Sequence, residues 1–552
     1  MHKSAGAIFF AVLAAVFFLP FLGGVHLFDW DEINFAEIAR EMIVLGNYLE
    51  PHINFESFTE KPPMFMWLQA LSMTIFGVGE YASRLPNAIM GIIVLPVIYN
   101  IGKTVYDNKF GYFWALAYFG SILPHLYFKS GIIDPIFNFF IFSSLYFLIR
   151  YYWAKKDFWG ISRSRKPNFY LNFAALFAGI AILTKGPVAF LIIGLVVFVY
   201  TLTNGFRLPA KMGALVRFGM LTFGVVAIWF GINFIQNGTS FLEEFIIRQW
   251  ELFSSQDAGH GGFPGYHFVV LLLGCFPASI FALQGMTKNN MGNQVQKDFK
   301  RWMIILFWVI LILFTVVKTK IVHYSSLAYY PLTFLAALSL YNIVEGKWSF
   351  KGWMRFSLIV IGLIVSAVTL VLPFLGMKIH RLKPLFQNDQ FALENLNAVV
   401  NWTGVEALSG LIMFFIVFVA VIGFNAKRKV LMFNTLFFGT AIWVFTTLVL
   451  YISKIESYSQ RAAIEFWEEH AEEDAYLTTY GYKSYADLFY GQVMPKENAN
   501  YQNKEWLFKG RIDKPVYISC KVTSASELEA KVKGIRFIGQ KNGFYFYLRK
   551  PK

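Results

Sequence analysis

About thirteen runs of roughly twenty apolar residues leave this chain few choices of fold. The first run spans Ala5 to Phe28. The others fall at 82–102, 110–128, 132–153, 168–184, 186–204, 213–236, 264–285, 302–317, 325–344, 354–376, 404–425 and 430–453. Over 552 residues, 56% are hydrophobic and 15% charged, where a soluble chain carries about a quarter charged. The chain reads as a mostly α-helical, polytopic membrane protein. The first run lacks a small-residue cleavage site before Asp29 and is followed by further spans, so it reads as a retained helix rather than a removed leader.

The net charge of +15 does not point to nucleic acid, because the basic residues form short clusters separated by spans. Alternate loops hold them: Lys155, Lys156, Arg163, Arg165 and Lys166; Arg207, Lys211 and Arg217; Lys288, Lys297, Lys300 and Arg301; Lys347, Lys351 and Arg355; Lys427-Arg428-Lys429. Cytoplasmic loops collect such charge. With thirteen spans these clusters share the cytoplasmic side. The stretch after the first span, the turn at Asp134, the 237–263 loop, the Lys318–His323 turn and the C-terminal region share the other. The expected division is a membrane domain over 1–453, with extracytoplasmic loops at 29–80 and 237–263, and an extracytoplasmic α/β domain over 454–552. In the latter, 461–474 reads as a polar helix, and Val516–Val522 and Phe544–Leu548 as strands, the second after a Lys541-Asn542-Gly543 turn. The two cysteines, Cys275 and Cys520, lie in different regions and imply no disulfide framework.

The 29–80 loop predicts two interfacial helices. Residues 32–45 put Ile33, Ala36, Ile38, Ala39, Met42 and Ile43 on one face, with Glu32, Glu37, Arg40 and Glu41 largely opposite and Gly46 as a stop. A second helix begins at Pro62-Pro63 and ends near Gly77.

The chemistry-bearing residues cluster on the extracytoplasmic side. Asp31 and Glu32 open the first loop helix, where an Asp also suits an N-cap or an acceptor-activating carboxylate. Asp29-Trp30-Asp31 spells DxD, but on a side where nucleotide sugars are absent. Glu60-Lys61-Pro62-Pro63 fixes an ammonium in extended backbone, suited to a phosphate. Asp134-Pro135 is good helix-start chemistry, yet sets an ionisable group at membrane depth. The second loop holds Glu243, Glu244, Arg248, Asp257 and His260; a lone His needs partners to hold a metal, and Glu60 is one candidate. Lys318-Thr319-Lys320 with His323-Tyr324 puts two lysines at a membrane exit against the usual charge bias, which an anionic phosphate would explain. Lys185 adds a lesser candidate cation.

These residues resemble the GT-C glycosyltransferases of the aminoarabinose transferase (ArnT-like) and protein O-mannosyltransferase group. The matching pieces are Asp31-Glu32-x-x-Phe35-Ala36-Glu37-Ile38-Ala39-Arg40-Glu41-Met42, Glu60-Lys61-Pro62-Pro63 with Trp67-Leu68-Gln69, Arg84-Leu85-Pro86, Asp134-Pro135, and Lys318-Thr319-Lys320 with Tyr324. The resemblance implies an inverting enzyme with a polyprenyl-phosphate sugar donor. Asp31 and Asp134, with Glu32, would be its acidic residues. Lys61 would bind the lipid phosphate, helped by Arg248, Lys318, Lys320 and Tyr324. Glu60 and His260 would hold zinc or another divalent cation. The family reads Asp-Glu-x-Arg at the first motif, its arginine paired with the first Asp, whereas this chain has Asn34 there.

The expected function is sugar transfer to a lipid A-type glycolipid, at the periplasmic face of a bacterial inner membrane, by a monomer. A protein Ser/Thr acceptor is the alternative within the class. No P-loop or Rossmann fingerprint is present, so no nucleotide is expected. A transporter or flippase would show repeats and midplane helix breaks; no repeat is evident, and the charges gather at one face. A non-catalytic scaffold would not need the clustered Lys and Asp.

Overall fold

The computed structural model describes residues 5–158, 165–254, 261–287, 292–422 and 428–551. Seven of its helices are long and apolar enough to cross a membrane: Glu80–Val105, Pro167–Lys185, Met212–Gln236, Gln294–Val316, Val322–Val344, Gly352–Met377 and Lys429–Glu456. Two bent pairs bring the number to nine: Ile122–Lys129 with Asp134–Lys156, turned by 116°, and Tyr266–Gly274 with Ala278–Gly285, turned by 112°. Shorter apolar helices are Ala5–Phe18, Met64–Phe76, Val188–Thr203 and Ala407–Val421. The polytopic helical architecture is thus present. Two runs expected to cross unbroken, 110–128 and 264–285, are instead interrupted.

Backbone that leaves the helical path at membrane depth must find partners within the protein. At the first bend, Asn87 Nδ2 donates to the carbonyls of Ser130 (2.7 Å) and Ile132 (2.6 Å). The Gly131 N–H donates to Glu32 Oε1. The break is therefore held from two other helices, and it places Asp134 at the start of the helix that follows. Elsewhere the bundle is tied by buried polar groups. Asp298 accepts from Tyr200 Oη (2.6 Å) and Trp153 Nε1 (2.7 Å), joining three helices. At Gly111 a Cβ would lie 2.4 Å from the Tyr99 carbonyl oxygen, so only glycine lets helices Glu80–Val105 and Asn108–Phe119 approach so closely.

The segment after the first apolar helix forms helix Asp31–Leu45, a two-residue hairpin at His52–Ile53 and Glu56–Ser57, and helix Met64–Phe76. Gly46, at φ 65°, ends the first helix and Gly77 the second. The expected interfacial setting of helix Asp31–Leu45 needs correction. Its polar side is buried too: Glu37, Arg40 and Glu41 are at most 3% exposed. The C-terminal domain covers them. Arg40 pairs with both Glu37 oxygens at 2.7 Å and donates to the Val493 carbonyl (2.8 Å).

That domain carries a mixed four-stranded sheet. Tyr476–Tyr480 pairs parallel with Val516–Lys521, which pairs antiparallel with Phe544–Arg549, which pairs antiparallel with Ile535–Lys541. Two strands were expected and four are present; the polar helix is shorter, Arg461–Glu469. One face of the sheet packs Val516, Ile518, Cys520 and Tyr547 with Leu507 and Leu528 in a core of its own. Phe466, Trp467, Phe489, Tyr490, Phe544 and Phe546 join one hydrophobic core with the apolar helices, so this C-terminal region is packed against the helical bundle.

Candidate active site

Asp31 and Glu32 begin one helix but face different surroundings. Neither Asp29 nor Asp31 caps it: the N-cap is Trp30, with no side-chain bond. Glu32 is locked. Arg84 reaches it at 2.7 and 3.1 Å, and the Phe28 N–H donates at 3.0 Å. Arg84 also donates to the carbonyls of Leu22 (2.8 Å), Val25 (2.8 Å) and His26 (2.9 Å). All five guanidinium hydrogens are thereby used. Burial opposes the Glu32 charge, but Arg84 beside it holds the carboxyl below its ordinary range. Grouped with the catalytic candidates by sequence, Glu32 instead fastens the end of the first span to helix Glu80–Val105 and to the Gly131 bend.

Asp31 is open by comparison, its side chain 33% exposed. Its Oδ2 lies 3.4 Å from His323 Nε2, and the same nitrogen lies 3.7 Å from Asp134 Oδ2. Asp134 does not cap its helix either; Oδ1 accepts from Lys185 Nζ at 2.8 Å. Gly186 explains how that lysine arrives. At φ 93° it ends helix Pro167–Lys185 in a conformation other residues resist, and the next helix starts at Val188. Lys185 is left at the turn, 5.1 Å above the Tyr324 ring.

Lys61, Asp134, Lys185 and Tyr324 are polar groups on the wall of a cavity of about 400 Å³, otherwise mostly apolar and lined by side chains such as Phe137, Leu191, Ile246 and Phe314. Lys61 pairs with Glu60 (2.8 Å). Glu60 in turn pairs with Arg248 (3.0 Å), and its carbonyl accepts from Gln249 (2.9 Å), so helix Ser240–Ser254 braces the loop. Burial raises the Glu60 carboxyl, but Lys61 and then Arg248 outweigh it and hold it at about 2. A second cavity of about 330 Å³ lies between Phe21–Phe28, Leu126–Ile132 and Leu448–Ser453, with Glu32, Arg84, Lys129 and His323 on its wall.

Two sequence expectations change here. Lys320, expected to help bind the lipid phosphate, has its Nζ on the carbonyls of Phe314 (3.0 Å), Thr315 (2.7 Å) and Val317 (2.5 Å). It satisfies the unpaired carbonyls at the end of helix Gln294–Val316, which every helix C-terminus must place somewhere. Lys318 is exposed and outside the cavity lining. The metal expectation also falters. His260 lies outside the described residues, and Glu60 is flanked by two cations that would repel a divalent ion. Among the described residues no group of three or more His, Cys, Asp or Glu could hold one. No step below passes through a metal. The residue that sequence reasoning quoted without a role is His323; its only signal was its place beside Tyr324 in the Lys-Thr-Lys turn.

Residues 60–229 match the dolichyl-phosphate-mannose-protein mannosyltransferase family. The chain is 24% identical over 345 residues to an undecaprenyl phosphate-alpha-4-amino-4-deoxy-L-arabinose arabinosyl transferase of Shewanella sediminis, across 61% of this chain and 61% of that protein. It is 25% identical over 368 residues to one from Aeromonas salmonicida, across 65% and 64%. The match thus spans less than two thirds of these relatives' own length. In structure it is similar over the whole of both chains to ArnT from Cupriavidus metallidurans bound to undecaprenyl phosphate, with a TM-score of 0.75 at 18% identity. The archaeal oligosaccharyltransferase AglB from Archaeoglobus fulgidus, in complex with an inhibitory peptide and a dolichol-phosphate, superposes at 0.51 and 11% identity over 99% of this chain and 74% of that one. The ArnT-like resemblance read from the motifs is borne out in the fold.

Proposed function

We propose that this chain, with the fold of ArnT-like GT-C proteins, is an inverting glycosyltransferase that moves a sugar from a polyprenyl phosphate to a lipid A-type glycolipid. One observation carries the reading: two lysines and a buried aspartate share the wall of a mostly apolar cavity among apolar helices. Such a cavity suits an isoprenoid tail ending in a phosphate. Lys61 and Lys185, with the Tyr324 hydroxyl, neutralise the leaving phosphate, and Arg248 acts through Glu60 by holding the Lys61 loop. Each well-placed donor of this kind contributes about 10²–10³ in rate.

In the transfer, the bond from the anomeric carbon to the phosphate oxygen breaks, its electron pair leaving with the phosphate. An acceptor oxygen forms the new bond from the opposite face. Where that oxygen belongs to a hydroxyl, its proton passes to Asp31. Asp134, paired with Lys185, fixes the cation rather than taking the proton. His323 stands on the wall of the second, mostly apolar cavity, which suits an acceptor with acyl chains better than a polypeptide.

The site then faces the periplasm of an inner-membrane protein. Counting Ala5–Phe18, Asn108–Phe119, Val188–Thr203 and Ala407–Val421 as crossings beside the nine recovers about thirteen. The test is transfer by the purified full-length chain from an undecaprenyl-phosphate aminoarabinose donor, with mass spectrometry of glycolipids and glycoproteins from a deletion strain. Glycolipids should lose a sugar. Wild-type turnover by Asp31→Ala or Lys61→Ala, or loss of sugar from proteins alone, would overturn the reading.

A further inference from the structure

His323 stands where the two carboxylates of the site converge. Asp134 has a second cationic partner in Lys185. Asp31 does not: among the described residues, His323 is the only basic group within ion-pair distance of it. Asn34, one helical turn on, does not approach it in a compensating way. With its amide oriented to suit its neighbours, Asn34 donates to the Trp30 carbonyl (3.1 Å) and accepts from Trp30 Nε1 (3.0 Å). The helix that carries Asp31 therefore brings it no cation of its own. The turn before helix Tyr329–Val344 does so instead, from almost three hundred positions away in sequence, and fixes His323 firmly: its carbonyl accepts from Ser326 Oγ, whose hydroxyl accepts from Asn138 on the Asp134 helix.

Resting on the functional reading above, we propose that His323, as an imidazolium, is the positioning residue for Asp31 in the transfer step. Two carboxylates facing one point repel, and a cation between them lets both stay charged. The positive ring lies nearer Oδ2, at 3.4 Å, and leaves Oδ1 as the oxygen that takes the acceptor proton. The imidazole keeps its own proton through the reaction: the acceptor hydroxyl proton goes to Asp31, the electron pair of the broken bond goes to the phosphate, and His323 changes neither bond nor charge.

An imidazole loses its charge between about pH 5 and 8, where a guanidinium would not. The charged and titratable groups facing His323 are Asp31 on the first loop helix, Asp134 with Lys185 behind it, and Tyr324, whose ring centroid is 5.4 Å away. Across the second cavity stand the Glu32–Arg84 pair and Lys129. Lys61 lines the first.

The experiment compares wild type, His323→Gln and His323→Arg as full-length purified protein, with one undecaprenyl-phosphate aminoarabinose donor and one lipid A acceptor. Wild-type kcat should fall as pH rises from about 6 to 8. His323→Gln should lose about tenfold or more in kcat, while the donor KM stays within about twofold. Its residual rate should lack the alkaline decline. His323→Arg should recover most of the rate and hold it across the range, which a residue with only a packing role would not produce. In a His323→Gln background, Asn34→Arg should restore part of kcat by supplying the cation from the helix itself. A wild-type kcat in His323→Gln, an unchanged alkaline decline in either variant, or no recovery in His323→Arg that folds and elutes like wild type would overturn the proposal. Asp31→Ala separates the two readings: if it too keeps wild-type turnover, the functional reading fails; if it is inactive while His323→Gln is unaffected, only the role of His323 falls.

Discussion

Asp31 and Glu32 are adjacent, both acidic and both in the first turn of one helix, yet the fold spends them in opposite ways. Glu32 is surrounded: two guanidinium bonds and two backbone N–H groups take up its oxygens. Asp31 keeps a third of its surface and one imidazole at 3.4 Å. A carboxylate whose hydrogen-bonding capacity is filled serves as a fastener, because moving it would strand several buried partners at once. One left with spare lone pairs can accept a proton. Composition cannot tell the two apart; saturation of the lone pairs can.

The strongest way to break this contrast is Asp31→Asn, which keeps shape and removes the base. Transfer should fall by about 10²–10⁴ with expression and melting temperature unchanged; an active Asp31→Asn protein would place Asp31 with the fasteners. Next, Glu32→Ala leaves Arg84 charged and unpaired in a buried setting. That should cost about 3–5 kcal/mol of stability, seen as a lower melting temperature and poor yield, and activity per folded molecule should drop only as the site loosens.

A subtler contrast is between two acids of the same loop, half-buried Glu60 and fully buried Glu41. Cations hold Glu60 at about 2, whereas burial and then the Glu37 charge push Glu41 up to about 9. The signs follow. The Glu60 contribution is present above its unfolded range and lost as pH falls toward 2. The Glu41 contribution is complete below its unfolded range and lost as pH rises toward 9. Glu41→Gln keeps an acceptor for the Phe55 N–H and should flatten the alkaline decline of the melting temperature; an identical slope in wild type and variant would refute this. The smallest effect is expected from Asn34→Ala, about 0.5–1.5 kcal/mol for its bonds to Trp30 and little change in kcat, since Asn34 does not serve Asp31.

Much of this was legible in the residues. Helix Asp31–Leu45 stopped at Gly46 as its pattern required, and helix Met64–Phe76 began after Pro62-Pro63. Strand Phe544–Arg549 followed its Asn542-Gly543 turn, but its hairpin partner Ile535–Lys541 escaped notice. That strand is an edge, mostly exposed, with Gly539 at a bulge, and so lacks the alternation of a half-buried strand. In the site, Asp31, Lys61 and Asp134 were legible because each carries a local signature. His323 was not, and Lys185 was only a lesser candidate cation, since their partners are set by how distant turns fold together. Lys320 misled because a lysine at a membrane exit serves a phosphate or a helix end equally well by sequence, and only its three carbonyl partners decide.

The C-terminal domain grips the backbone beside Asp31. Gln460 accepts from the Asp29 N–H (3.1 Å) and donates to the Leu27 carbonyl, Tyr490 Oη accepts from the Leu27 N–H (2.6 Å), and Gln502 donates to the Asn54 carbonyl (2.7 Å). The first loop leaves the ribosome early, and these clasps arrive only with the last hundred residues. Order of synthesis and order of completion are therefore reversed: the earliest part of the site waits for the latest part of the chain. A chain cut short before Gln460 would keep its apolar helices yet lack the grip on Leu27 and Asn54.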